Sequence, residues 1–115
     1  MKDKKADNKD RLLQIENAII LIESFIAGIS EDDFIKSSLI SSAALFQFSV
    51  IGEAVGHVEK SLLEKYPYTL YKVKAFRNLI SHEYFRIELS AVWEVVVKDL
   101  PELKEMIRKM LEQEF

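Results

Sequence analysis

Arginine and histidine stand five positions apart at Arg77 and His82, with Asn78 directly after the arginine and Tyr84 two residues past the histidine. The chemistry this set suits is cleavage of RNA by transesterification. An imidazole titrates near neutrality and can take a proton from a 2′-hydroxyl or return one to a departing 5′-oxygen. A guanidinium stays charged and offers a planar fork to phosphate oxygens as negative charge builds on them. Neither role requires a metal ion or an organic cofactor. Asn78 can hold the imidazole or a phosphate oxygen by hydrogen bonding.

The surroundings suit an anion. Between Lys65 and His82 every charged residue is basic (Lys65, Lys72, Lys74 and Arg77), and Arg86 follows. All four tyrosines, Tyr66, Tyr68, Tyr71 and Tyr84, fall in or beside this window. The chain as a whole carries a net charge of -3 and a pI near 5.4, so nucleic-acid contact is expected in a patch, not as a general coat. Plainer explanations exist for each part. A histidine in the last turn of a helix is favoured by the helix dipole, and the lysines suit a solvated face. On a straight helix five residues turn about 140°, so Arg77 and His82 share a groove only if the helix ends at His82 or a second copy of the chain contributes.

Other constellations are weaker. Glu53 and His57 lie one helical turn apart and could reach one metal ion, but the further carboxylates of a di-metal bundle are missing, and a helix-surface hydrogen bond is the expectation. Ser81-His82-Glu83 has the residue types of a triad, yet sequential neighbours do not face one another. Three scattered glycines make no phosphate loop.

The elements that must position Arg77 and His82 read as helices. Three glycines and two prolines in 115 residues favour long helices over a turn-rich sheet. Hydrophobic residues at 49% and charged ones at 30% describe a single globular domain over residues 1–115, with a polar tail over 1–9. The absence of cysteine excludes disulfides and thiol chemistry and fits a reducing cytoplasm. No signal-peptide core is seen, and the apolar run Ala18 to Ile22 is too short to span a bilayer, so a soluble intracellular protein is expected.

A first helix capped by Asp7 or Asp10 presents Leu12, Ile15, Ile19, Ile22 and Ile26 on one face. Leu13, Ile20 and Leu21 widen that face and predict cover on two sides, with Gly28 as the stop. Ser30 and Asp33 form a capping box ahead of a short turn. A second long helix spans about Ser37 to Lys65. Its seams are Ile40, Ala44, Gln47, Ile51, Ala54 and Val58, and Phe48, Val55 and Leu62, with small residues including Gly52 and Gly56 for close packing. Tyr66-Pro67 ends it. Thr69 caps a third helix over 70–81, and residues 83–87 connect to a fourth beginning near Glu88 or Ser90. Asp99-Leu-Pro-Glu102 reads as the fresh start of a last helix carrying Leu103, Ile107, Met110 and Leu111. The architecture expected is an all-α, up-and-down bundle of about five helices.

Phe76-Arg-Asn-Leu-Ile-Ser-His-Glu-Tyr-Phe85, followed by Val92-Trp-Glu-Val-Val and Asp99-Leu-Pro-Glu-Leu, resembles the HepT-like branch of the HEPN superfamily; Ile51-Gly-Glu-Ala54 matches another of its habitual stretches. The resemblance covers nearly all of the chain from about Asp10 onward. It implies a small dimerising helical bundle, a ribonuclease toxin encoded beside a minimal nucleotidyltransferase antitoxin. The family signature of arginine, four residues, histidine, one residue and tyrosine falls on Arg77, His82 and Tyr84. The resemblance makes Arg77 and His82 the catalytic pair, Asn78 their polar companion and Tyr84 the hydroxyl that the antitoxin modifies with AMP. A bulky anion there would occupy and neutralise the phosphate site. Lys72, Lys74 and Arg86 are the expected RNA contacts. Where many relatives carry glycine and aspartate after the Tyr-Phe pair, Arg86 and Glu88 stand here. The competing expectation is a non-catalytic helical module that presents substrate or nucleotide to the nucleotidyltransferase.

Overall fold

The computed structural model describes residues 3–67 and 88–115. The helix expected over 70–81 and the connector over 83–87 lie outside them.

Helix α1, Lys4–Ile26, starts earlier than Asp7 or Asp10 would place it. The cap is Asp3, whose Oδ1 accepts from the Lys5 amide at 3.0 Å. Residues 4–9 are therefore the first turns of the helix. Gly28, at φ 76°, takes the left-handed position just past the C-cap Ala27, and the Ile29 amide bonds back to the Ile26 carbonyl at 3.1 Å.

Leu12, Ile15, Ile19 and Ile22 are fully buried. The second side of α1 is covered only in part: Leu21 is half-buried, while Leu13 and Ile20 remain 42% and 41% exposed. The capping box forms as expected, with the Asp33 amide bonded to Ser30 Oγ and the Ser30 amide to Asp33 Oδ2, both at 3.1 Å. It starts α2, Glu31–Lys36, which inserts Phe34 into the core.

Helix α3, Ser38–Gly56, lies along α1 and is the bundle's central strut. By length and composition it is apolar enough to cross a bilayer, but its inward face is a packing surface: Ala44, Phe48, Ile51 and Ala54 are buried in the core. It does not run on to Lys65. It stops at His57, and a short α4, Lys60–Glu64, follows. Gly56 belongs to this stop and not to a close helix contact, since it is exposed and a Cβ there would meet nothing within 4 Å.

The break is held from a distance in sequence. Asn8, only 5% exposed, accepts the Glu59 amide through Oδ1 at 3.0 Å, tying the first turns of α1 to the start of α4. Without that acceptor a partly buried N–H would lose its partner.

After residue 88 the chain forms one continuous helical rod: α5, Leu89–Glu94; a π turn, Val95–Asp99; and α6, Leu100–Glu114. The fresh start expected at Asp99 is absent. Asp99 is helical and makes no side-chain cap, and the Leu100 amide bonds five residues back to Val95. Two causes favour the wide turn. Pro101 has no N–H, and its ring crowds the carbonyl four residues earlier, which the turn opens. The buried series Val92, Val96, Leu100, Leu103 and Ile107 also takes two consecutive steps of four from Val92 to Leu100, and the π turn absorbs that drift.

Trp93 packs on Phe34 with ring centroids 5.5 Å apart. Antiparallel α6 is paired to α1 by Lys104 to Glu23 at 2.8 Å and Arg108 to Glu16 at 3.0 Å. The described residues thus form an all-α bundle, and they contain no strand.

Asn8→Ala should cost about 1–3 kcal/mol, the penalty of a buried donor left unpaired. Urea unfolding followed by circular dichroism checks it, and Ser30→Ala, at about 1 kcal/mol, calibrates the scale.

Candidate functional site

Lys72, Lys74, Arg77, Asn78, His82, Tyr84 and Arg86 all lie in residues 68–87, outside the described residues. The structure describes the two ends from which this twenty-residue stretch departs and returns, and both are anchored.

At the leading end, Tyr66 is buried at 8% exposure, and its hydroxyl lies 2.9 Å from Gln113 Oε1 and 3.0 Å from Glu114 Oε2. Lys65 donates to the other Glu114 oxygen at 3.0 Å. The last turn of α6 therefore clasps the residue before Pro67. Burial, and then the hydrogen bond to anionic Glu114, push the Tyr66 hydroxyl above its ordinary pKa of 10.0. The Lys65 bond, then the Tyr66 bond, hold the Glu114 carboxyl below its ordinary 4.5. At the trailing end, the Glu88 carbonyl accepts from the Ala91 and Val92 amides at 3.1 and 3.2 Å. Half-buried Leu89 and buried Val92 then seat α5 in the core.

Sequence reasoning placed Tyr66 among the clustered aromatics and at the end of the second helix, and missed its clasp. Pro67 directly after it was the available signal, since the chain turns there. Glu53 and His57 are both exposed and make no hydrogen bond to one another; His57 is the C-cap of α3. Among the described residues no group of three or more His, Cys, Asp or Glu lies close enough to hold a metal ion.

Grooves open on several faces of the described residues. One of about 630 Å³ runs along the exposed side of α6, past Glu102, Glu105, Lys109 and Glu112. It carries charge of both signs. A second, of about 340 Å³, sits at the clasped end among Lys4, Lys5, Glu59, Lys65 and Glu114. A third, about 320 Å³, follows the α1–α3 seam and is lined by Arg11, Gln14, Asn17, Gln47, Val50 and Glu53. Gln47 had been placed on the apolar seam of α3. A lone amide on such a seam was the sign of an opening.

The ribonuclease HepT-like family model matches residues 15–110. A protein of Methanocaldococcus jannaschii named "Gamma-glutamylcyclotransferase and putative RNase" is 37% identical over 93% of this chain and 49% of its own length. This chain therefore spans about half of that relative. A "Putative RNase" of Caldanaerobacter subterraneus is 32% identical over 87% of this chain and 89% of its own. A "Probable ribonuclease HepT" of Thermococcus cleftensis is 30% identical over 92% and 97%. No solved structure matches. The helical architecture and the span of these matches make the class that of an RNA-cleaving helical bundle. The chain belongs to the HepT-like ribonuclease family.

The clasp gives a pH prediction. Because the folded state depresses the Glu114 pKa, the stability it supplies is fully present above 4.5 and is lost as pH falls through the lower folded value. Glu114→Gln should therefore melt below the wild type at neutral pH, with the gap closing as pH drops beneath 4.5. Thermal melts across pH 3–8, by circular dichroism, check it.

Proposed function

We propose that the chain is a metal-independent endoribonuclease acting as a homodimer, the toxin of a pair whose antitoxin is a minimal nucleotidyltransferase. The substrate is tRNA or mRNA. The 2′-hydroxyl attacks the adjacent phosphorus, the 2′-O–P bond forms and the P–O5′ bond breaks. The products are a 2′,3′-cyclic phosphate and a 5′-hydroxyl. His82 takes the proton from the 2′-hydroxyl or delivers one to the leaving 5′-oxygen. Arg77 stabilises the charge that builds on the phosphate oxygens. Asn78 orients, and Lys72, Lys74 and Arg86 draw RNA toward the cleft. Two copies of the pair lining one groove between protomers answer the 140° or so that separates Arg77 from His82 on a straight helix.

The observation that carries this reading is the family match over residues 15–110, a range that includes Arg77, His82 and Tyr84. The anchored ends of the 68–87 stretch support it, because catalytic groups need a fixed frame. Regulation follows from charge. Adenylylation of Tyr84 by the nucleotidyltransferase places an anion beside Arg77 and His82, competing with RNA for their positive charge.

His82→Ala should lower cleavage of total RNA by about 100-fold or more and abolish growth inhibition, with an unchanged helical spectrum. Excess EDTA should leave wild-type cleavage intact. An equally active His82→Ala protein would overturn the assignment. A wild-type dimer that binds a nucleotidyltransferase tightly yet leaves RNA whole would favour the non-catalytic module.

A further inference from the structure

The chain holds six side-chain amides, three asparagines and three glutamines. Three of them, Gln14, Asn17 and Gln47, line the one groove on the α1–α3 seam. Gln14 Oε1 accepts from Arg11 Nη1 at 3.3 Å. Among the described residues Asn17, Gln47 and Glu53 make no side-chain hydrogen bond, so their donors and acceptors are available to a ligand. Val50 and Gln47 are half-buried and form the inner wall, while Asn17 and Glu53 stand exposed at the rim.

We propose that this seam is a base-reading subsite, which takes one unpaired nucleobase of a single-stranded RNA. The inference rests on the ribonuclease reading for the identity of the strand. Amide side chains carry a donor and an acceptor side by side, the complement of a base edge. A carboxylate such as Glu53 accepts from an exocyclic amino group, so bases bearing one (cytosine) are taken over uracil, which has none. Arg11 at the same groove meets the adjoining phosphate, and Val50 gives the base face an apolar surface. A volume near 320 Å³ is at the small end of ligand sites and suits one base better than a larger ligand. The groove is polar and lies on two long helices, so it is rigid and set apart from the 68–87 stretch in sequence. It would select where along a strand the enzyme settles.

The test uses the full chain and fluorescence anisotropy with labelled, uncleavable 2′-O-methyl oligoribonucleotides. Three probes are compared: oligo-C, oligo-U and an abasic strand of equal length. Wild type should bind oligo-C more tightly than oligo-U and the abasic strand least. Gln47→Ala and Asn17→Ala should each weaken oligo-C binding at least about fivefold while leaving the abasic strand unchanged. Glu53→Gln, at an exposed position, should erase the preference for oligo-C even if Gln47→Ala proves unstable. Arg11→Ala should weaken all three probes and flatten their salt dependence. Equal wild-type binding of base-bearing and abasic strands would overturn the subsite, as would oligo-C binding unaltered by Asn17→Ala and Glu53→Gln. The two readings fail separately. Base-selective binding by a wild type that cuts nothing would keep the subsite and sink the ribonuclease, and cleavage with base-blind binding would do the reverse.

Discussion

The bond from the Glu59 amide to Asn8 Oδ1 is the constraint on which the rest of the bundle turns. Helix α3 carries a single charged residue, Glu53, and offers no proline to end it. Its chain must nevertheless leave the α1–α3 pair, form α4 and bring Tyr66 under the last turn of α6. Each departure from a helix exposes backbone groups that need partners. Here the partner comes from the opposite end of the chain, from a side chain buried in the second turn of α1. With that amide satisfied, α4 can swing and Leu62, Leu63 and Tyr66 can reach the core.

Much of this was legible in the sequence, and the reasons for the rest are physical. Ser30 and Asp33 announce α2 because a capping box is local, complete within four residues. The buried faces of α1 and α3 follow from periodicity alone. The break at His57 was not legible because the bond that holds it joins Glu59 to Asn8, 51 residues apart, and Gly56 beside it looked like a packing residue. Asp99-Leu-Pro-Glu102 misled for the opposite reason. Locally it has the parts of a helix start, but burial of Val96 and Leu100 on one continuous stripe outweighs a cap. Of the candidate site, residue types and spacing were readable, since Arg77, His82 and Tyr84 carry their chemistry in their side chains. Their mutual geometry is a matter of residues 68–87. What the structure adds is the frame on either side, and a second polar seam that the apolar reading of Gln47 had hidden.

Charge unifies these parts. The chain is acidic as a whole, yet between Lys65 and Arg86 it carries five basic residues against the single acidic Glu83, while glutamates and aspartates outnumber lysines and arginines over the rest. A polyanion would be repelled by most of the surface and drawn to one stretch, which favours a single bound orientation over many. Lys65 is spent differently from the lysines that follow it. Its ion pair with Glu114 lowers the local field while fixing the start of the basic stretch. Geometry is bought there with one positive charge.

The π turn between Val95 and Asp99 means that the α5–α6 rod holds one residue more than a regular helix of the same phase would need. Loss of a single position there would leave Val92 and Leu103 still on a common stripe, provided the pyrrolidine at 101 went too. Gain of a position would have no such slack to use. In this stretch the length of the chain can contract by one step but not lengthen, although the run of valines gives no hint of any such asymmetry.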